Sequence, residues 1–235
     1  TLTDIGNMDF DFNGHLNFLG TGANLYTLDT RGHNLRVHSF VISLDPVAEL
    51  RLLSDFLLNN INNNNASYSY NPQGGIIEHK EGHFNSNGQS IDADGLRSNT
   101  GTTRRLTLDN STVRLEVRGW YPGIFNLNNF SPATNLSATG SHIYIKAADM
   151  WGLTETFTFQ STIELDSLSL NLRFGRQNTS GQINCNYLHV ADQSTLQGAN
   201  LSCNTLVLGD GALLISTNNK VIELDNFFGP TGCSQ

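Results

Sequence analysis

Apolar residues recur along this chain in a short repeating figure rather than in long runs. Ile183-Asn-Cys185-Asn-Tyr-Leu188-His-Val190-Ala-Asp192 aligns position by position with Leu201-Ser-Cys203-Asn-Thr-Leu206-Val-Leu208-Gly-Asp210, at an offset of 18 residues. A further 18 residues back, Leu165-Asp-Ser167-Leu-Ser-Leu170-Asn-Leu172 keeps the same apolar positions. Within each unit apolar and polar residues alternate, as in a half-buried strand, and the alternation breaks at a polar or glycine turn. A unit this poor in apolar residues cannot bury its own face. Stacking each unit on the next, ~4.8 Å away, closes a continuous core and pairs the backbone in a ladder. The pattern therefore predicts an all-β chain, a right-handed parallel β-solenoid (β-helix) with irregular loop insertions. An antiparallel sandwich also supplies short alternating strands, but it predicts no constant period. Leu170, Leu188 and Leu206 are expected in one inward row, and Leu172, Val190 and Leu208 in another. Cys185 and Cys203 should face inward on adjacent layers as reduced thiols, since parallel Cβ vectors fit a disulfide poorly.

The figure extends upstream less regularly. Gly32-His-Asn-Leu35-Arg-Val37-His-Ser-Phe40 matches Gly88-Gln-Ser-Ile91-Asp-Ala93-Asp-Gly-Leu96 at an offset of 56, and Leu50-Arg-Leu52 falls on Leu106-Thr-Leu108 at the same offset. At the repeat length seen downstream, that block amounts to about three layers. Asn59–Pro72, with Asn62-Asn-Asn-Asn65 and Ser67-Tyr-Ser-Tyr70, shows no periodicity and reads as an inserted loop. Trp120–Asn135, with Pro122 and Pro132, reads as a second outward bulge. Val47–Asn59 has helical spacing after Asp45-Pro46, but the 56-residue match favours strand. The expected organisation is a solenoid over residues 1–226, with 227–235 a linker or the start of a further module.

Composition narrows the partners. Charged residues are 14% of the chain and the formal charge is −8, which argues against nucleic acid or an anionic membrane surface, both of which call for a basic footprint. Twenty-nine Asn and 22 Gly suit many tight turns, because both accept positive φ at low cost. Thirteen Phe and the regular aliphatic spacing oppose disorder. Cys185, Cys203 and Cys233 are too few, and odd in number, for a disulfide framework. No stretch approaches the ~18 apolar residues of a membrane span. Thr1–Asn13 lacks the basic start and apolar run of a secretion signal, so an exported form is expected to be a mature or excised one.

Candidate chemistry is thin. Glu78-His79-Lys80-Glu81-Gly-His83 is the densest ionisable cluster, and strand alternation puts His79, Glu81 and His83 on one face. Alternate residues on one strand lie ~6.5–7 Å apart, too far to converge on one zinc ion, so a solvated face is expected and no metal or cofactor is implied. A carbohydrate-active enzyme would need clustered carboxylates. Asp92 and Asp94 project from one strand, and Asp192 and Asp210 stack on neighbouring layers. Stacked aspartates at a turn more often cap backbone N–H groups. Trp120, Tyr121, Tyr68 and Tyr70 are the aromatics best placed for contact with a glycan. Asp166-Ser167-Leu168 fits an O-glycosylation pattern, but the repeat puts Ser167 at the inward position of Cys185 and Cys203.

One stretch carries a likeness. Gly82-His-Phe84-Asn-Ser-Asn-Gly88-Gln-Ser-Ile91, followed by Thr103-Arg-Arg-Leu106-Thr-Leu108-Asp-Asn-Ser-Thr-Val113, resembles β-helical segments of large surface proteins of the Bacteroidota, which often pass through the type IX secretion system. The likeness is firm over about Gly75–Trp120 and looser elsewhere, and its phrases mark turns and strands rather than catalytic residues. It implies an extracellular or cell-surface location, a non-catalytic structural or adhesive role in surface adhesion or gliding motility, and type IX secretion machinery, surface glycans or other surface proteins as partners. A carbohydrate-active β-helix enzyme, of the polysaccharide lyase or hydrolase type, is the alternative. No type-IX sorting domain is visible, and Phe227-Phe-Gly-Pro-Thr-Gly-Cys233 reads as the opening of a further module, so the chain is expected to belong to something larger.

Overall fold

Alternation decides what this chain can build. Buried and less buried positions alternate over Asn34–His38, Gln182–Cys185 and Asn200–Cys203, so each strand has one face to hide and the next strand hides it. The computed structural model describes residues 10–59, 75–98, 103–117, 125–127, 135–147, 154–156, 158–159, 162–172, 176–178, 182–198, 200–215 and 221–230. Its elements are strands, joined into one 18-stranded and one 4-stranded sheet, and every pairing among the described residues is parallel. Among the described residues no helix is long and apolar enough to cross a membrane. The segment Val47–Asn59 holds two strands, Glu49–Leu52 and Phe56–Asn59, and no helix.

The pairings form three ladders that the chain visits in the same order again and again. The first runs without a break through ten layers: residues 10–12, 34–37, 56–59, 91–93, 112–117, 142–147, 167–171, 187–190, 205–208 and 226–228. The second comes in two runs. Residues 15–20, 39–43, 76–81, 95–98, 125–127 and 158–159 make one, and 154–156, 176–178, 195–197 and 213–215 the other. The third likewise joins 25–28, 49–52, 83–85, 104–107 and 136–137, then 162–165, 182–185, 200–203 and 222–224. At ~4.8 Å per layer the first ladder is about 45 Å long.

The core is the set of inward rows. Phe56, Ile91, Val113, Ile143, Leu168, Leu188 and Leu206 lie in register on successive layers of the first ladder, each at most 1% exposed. Hiding a side chain of this kind contributes roughly 1.5–3 kcal/mol. Leu50, Phe84, Leu106 and Leu136 make the matching row on the third ladder.

The repeat holds its 18-residue offset between Gln182–Val190 and Asn200–Leu208, including Cys185 opposite Cys203. One layer earlier the offset is 20: Leu168, not Leu170, sits opposite Leu188, Leu170 opposite Val190, and Leu165 opposite Cys185. Arg176 pairs Thr195 at an offset of 19, so one extra residue enters on each side of Arg176–Asn178. An even total slip keeps every side chain facing as before. Ser167 therefore stands opposite Tyr187 rather than in the cysteine row, although it is buried. The 56-residue block spans two layers, not three, since Leu50 pairs Phe84 and Phe84 pairs Leu106. Its two ends are equivalent turns all the same. Thr30-Arg-Gly-His and Ser86-Asn-Gly-Gln each carry positive φ at both central residues, the signature of a type I′ turn closed by a backbone hydrogen bond. Phe125–Leu127 lies inside the stretch read as an outward bulge, yet it pairs with Leu96–Ser98, and Leu127 is 1% exposed. The chain returns to the core there because its apolar residues are needed to cover the layer below. Asn59 ends a strand, and the rest of the other expected loop, Asn60–Pro72, lies outside the described residues.

Leu188 is fully buried between Leu168 and Leu206 in the inward row, so Leu188→Ala should cost about 2–5 kcal/mol in urea denaturation followed by circular dichroism. Leu188→Asp buries an unpaired charge and should abolish cooperative unfolding. A loss below about 1 kcal/mol for the alanine variant would take Leu188 out of the core.

Candidate functional site

Three groupings of ionisable and polar groups among the described residues bear on function. The first is inside. Gly82, at φ +79°, turns the chain from the second ladder to the third, and a Cβ there would lie 2.5 Å from the Leu44 Cβ and 3.0 Å from the Asp45 carbonyl oxygen. Just before it, the register slips by one residue between Ile42, opposite His79, and Ser43, opposite Glu81. His79 is thereby drawn into the core at 1% exposure, while Lys80 and Glu81 stay outside. The expected solvated face of His79, Glu81 and His83 does not form, because the bulge at Lys80 breaks the alternation.

The hydrogen bonds fix the state of His79. Its Nε2 lies 3.0 Å from the Gly82 carbonyl oxygen, which can only accept, so Nε2 carries the proton. Nδ1 therefore accepts from the Ser98 hydroxyl at 2.9 Å, and Ser98 Oγ in turn accepts from Arg104 Nη1 at 3.1 Å. Burial drives the imidazole pKa down to about 4, the Gly82 bond opposes this, and the charges of Arg104 and His83 add to it. A neutral base locked between two partners positions the turn and is closed to solvent.

The second place is the outer side of the third ladder. Glu49 accepts from Arg51 Nε at 2.8 Å and from Asn85 Nδ2 at 2.9 Å, and it lies 3.3 Å from His83 Nδ1. Partial burial would raise the Glu49 pKa, but these donors and the nearby cations outweigh it and hold the carboxyl below its ordinary range. Desolvation lowers His83 in spite of Glu49. His83 Nε2 is also 3.0 Å from the Thr107 hydroxyl, so this network links neighbouring layers.

The third is an open groove of about 470 Å³ beside the first ladder, lined by Asn171, His189, Ala191, Asp192, Gln193 and Asp210. Asp192 Oδ1 accepts the backbone N–H of Asp210 at 2.8 Å, the capping role expected of stacked turn aspartates. Asp55 caps Ser90 and Asp109 caps Thr139 in the same way on other layers. His189 Nδ1 lies 3.2 Å from the Ser169 hydroxyl. No group of three or more His, Cys, Asp or Glu among the described residues is arranged to hold a metal ion.

Asp92 stands on the outer side of the first ladder with Arg114 as its register neighbour on the next layer, a placement that sequence spacing did not suggest. Asp92 and Asp94 are both half-buried, and the Asp94 backbone N–H bonds the Gly75 carbonyl. Trp120, Tyr121, Tyr68 and Tyr70 lie outside the described residues. The exposed aromatics that are described were not singled out by sequence. Tyr144, Tyr187 and Phe228, exposed at 42%, 41% and 59%, stand on the outer side of the first ladder. Their signal was the polar half of the alternation, one residue away from the inward positions Ile143, Leu188 and Phe227. Cys185 and Cys203 are buried and free, and the neighbouring sulfur together with burial pushes the Cys185 thiol up, so it stays protonated.

Two measurements check these assignments. The unfolded His79 titrates near 6.5 and the folded one near 4, so the unfolded chain takes up the proton first as pH falls. Stability from this group is full above pH 6.5 and is lost as pH falls towards 4, by about 3 kcal/mol. The urea midpoint of His79→Gln should be flatter than that of the parent across this window, and an unchanged slope would refute the buried neutral state. Alkylation in denaturant without reductant should label both Cys185 and Cys203, whereas loss of that pair of adducts would reveal a disulfide.

No family model, no curated protein and no solved structure matches the chain. A functional reading therefore starts from the ladders and the residues on their outer sides.

Proposed function

We propose that this chain is a right-handed parallel β-solenoid that serves as a non-catalytic structural and adhesive module of a secreted cell-surface protein. The observation that carries the reading is the unbroken ten-layer first ladder, whose inward side chains serve stacking and whose turn aspartates cap the next layer. A stack about 45 Å long is a useful spacer, and its outer residues are free to vary without disturbing the ladder. The likeness to surface proteins of the Bacteroidota supports export through a type IX machinery and a part in adhesion or gliding motility. The second reading, a carbohydrate-active enzyme, draws on one observation, the groove that brings His189, Asp192 and Asp210 together. The bond from the Asp210 backbone to Asp192 favours capping over catalysis there.

Incubating the purified chain with a panel of acidic and neutral polysaccharides, with and without calcium, should release no new reducing ends and no unsaturated products. Depolymerisation that disappears in Asp92→Asn or Asp192→Asn would overturn the non-catalytic reading.

A further inference from the structure

The outer side of the first ladder changes character along its length. Over its last five layers the described outward positions include the three aromatics Tyr144, Tyr187 and Phe228. The remaining outward residues there are hydroxyl, amide, imidazole and valine side chains, with one exception. Lys146 is the single lysine, arginine or carboxylate among them, and Glu116 neutralises it at 2.9 Å.

The spacing follows from register. Tyr144 stands opposite Ser169, and Ser169 opposite His189, so Tyr144 and the layer of Tyr187 are two layers apart. Tyr187 stands opposite Thr205, and Thr205 opposite Asn226, so Tyr187 and the layer of Phe228 are again two layers apart. Two layers are ~10 Å. Tyr144 and Phe228 share one column, and Tyr187 lies one column to the side, ~7 Å away. The rings therefore alternate left and right of a line running along the stack. The Arg114 guanidinium lies 5.7 Å from the Tyr144 ring centroid and braces it.

We propose that this face binds an extended, uncharged, β-linked polysaccharide lying along the stack between the two aromatic columns. Alternate sugars of such a chain present the same face, and one disaccharide has about the length of two layers. Sugar C–H faces stack on aromatic rings through apolar contact, and hydroxyls need neutral hydrogen-bonding neighbours. Ser169, Thr205 and Asn226 supply these on the strands. The 470 Å³ groove opens beside the same columns through His189 and Asn171, where two amides, an imidazole and two carboxylates would face a substituent of the glycan. The outward first-ladder positions carry no unneutralised charge, and the carboxylates at their edges, Asp166, Asp192 and Asp210, would repel an acidic chain, which selects a neutral glycan over an acidic one. This inference rests on the adhesive reading and names its ligand class.

Native affinity electrophoresis of the whole chain tests it, with hydroxyethylcellulose as the neutral probe and polygalacturonate as the acidic one. Hydroxyethylcellulose should retard the chain and polygalacturonate should not. Tyr144→Val and Tyr187→Val each keep a strand-compatible side chain, and each should weaken retardation about tenfold. Lys80→Ala, on the second ladder, should leave it unchanged. Unaltered thermal melts of the tyrosine variants establish that they fold, and for any variant that does not, Tyr→Phe at the same site should retain binding. Retardation by polygalacturonate alone, by neither polymer, or equally in the valine variants would overturn the proposal. Those outcomes leave the display role intact, since that role falls only if the reducing-end assay detects cleavage.

Discussion

Everything in this molecule depends on parallel register between successive layers. A strand with a few alternating apolar residues has no stable fold of its own, because the side chains it buries must be met from above and below within ~5 Å. That requirement explains why aliphatic residues meet aliphatic residues at Val113, Ile143, Leu168, Leu188 and Leu206, in different chain contexts and across segments of unequal length. It also explains what is tolerated. Residues can be added at a corner so long as the next strand re-enters in phase, as the two extra residues around Arg176–Asn178 demonstrate.

Corners are where polar groups enter the interior, and there they are satisfied locally. Ser86 and Ser111 share a hydrogen bond of 2.7 Å between buried hydroxyls on adjacent layers, and Ser141 continues the row one layer on by bonding the Leu108 carbonyl. Further along the stack, at the same corner before the first ladder, Asp166 bonds the Ser141 carbonyl through its backbone N–H, Asn186 donates to Asp166 at 2.8 Å, and Asn204 donates to Asn186 at 3.0 Å. Such short rows give turns a register of their own, so the corners and the apolar rows specify the same stacking. His79 is the extreme case, a titratable ring accepted into the core because Ser98 and Gly82 occupy both of its nitrogens.

Legibility in the sequence tracked insertion length. The two layers with no insertion between them, Gln182–Val190 and Asn200–Leu208, could be aligned residue by residue, cysteines included. One layer earlier the facing was legible but the partner was not, since an even slip preserves alternation and leaves no trace in it. In the N-terminal half the 56-residue match found equivalent turns and miscounted the layers between them, because layer length there is uneven, 34 residues from Leu50 to Phe84 and 22 from Phe84 to Leu106. The bulge that buries His79 was hidden for a different reason. A one-residue slip is a property of the pair of strands, and neither strand alone records it.

The outer face was the least legible part because the fold places almost no demand on it. Inward residues answer to the ladder, whereas an outward tyrosine contributes little to stacking and so follows no period that a repeat search detects. That freedom is also what lets a stacked scaffold acquire a surface without a change of fold. On the last layers of the first ladder, outward positions gather aromatics and uncharged hydrogen-bonding groups while charged residues keep to the corners or pair off. A regular stack converts such a choice into a regular spacing, because every outward residue inherits the ~4.8 Å pitch of the backbone beneath it. A rigid ruler of that kind matches a polymer that is itself periodic better than it matches an irregular protein surface. The physical fit between scaffold and ligand would then lie in their shared periodicity.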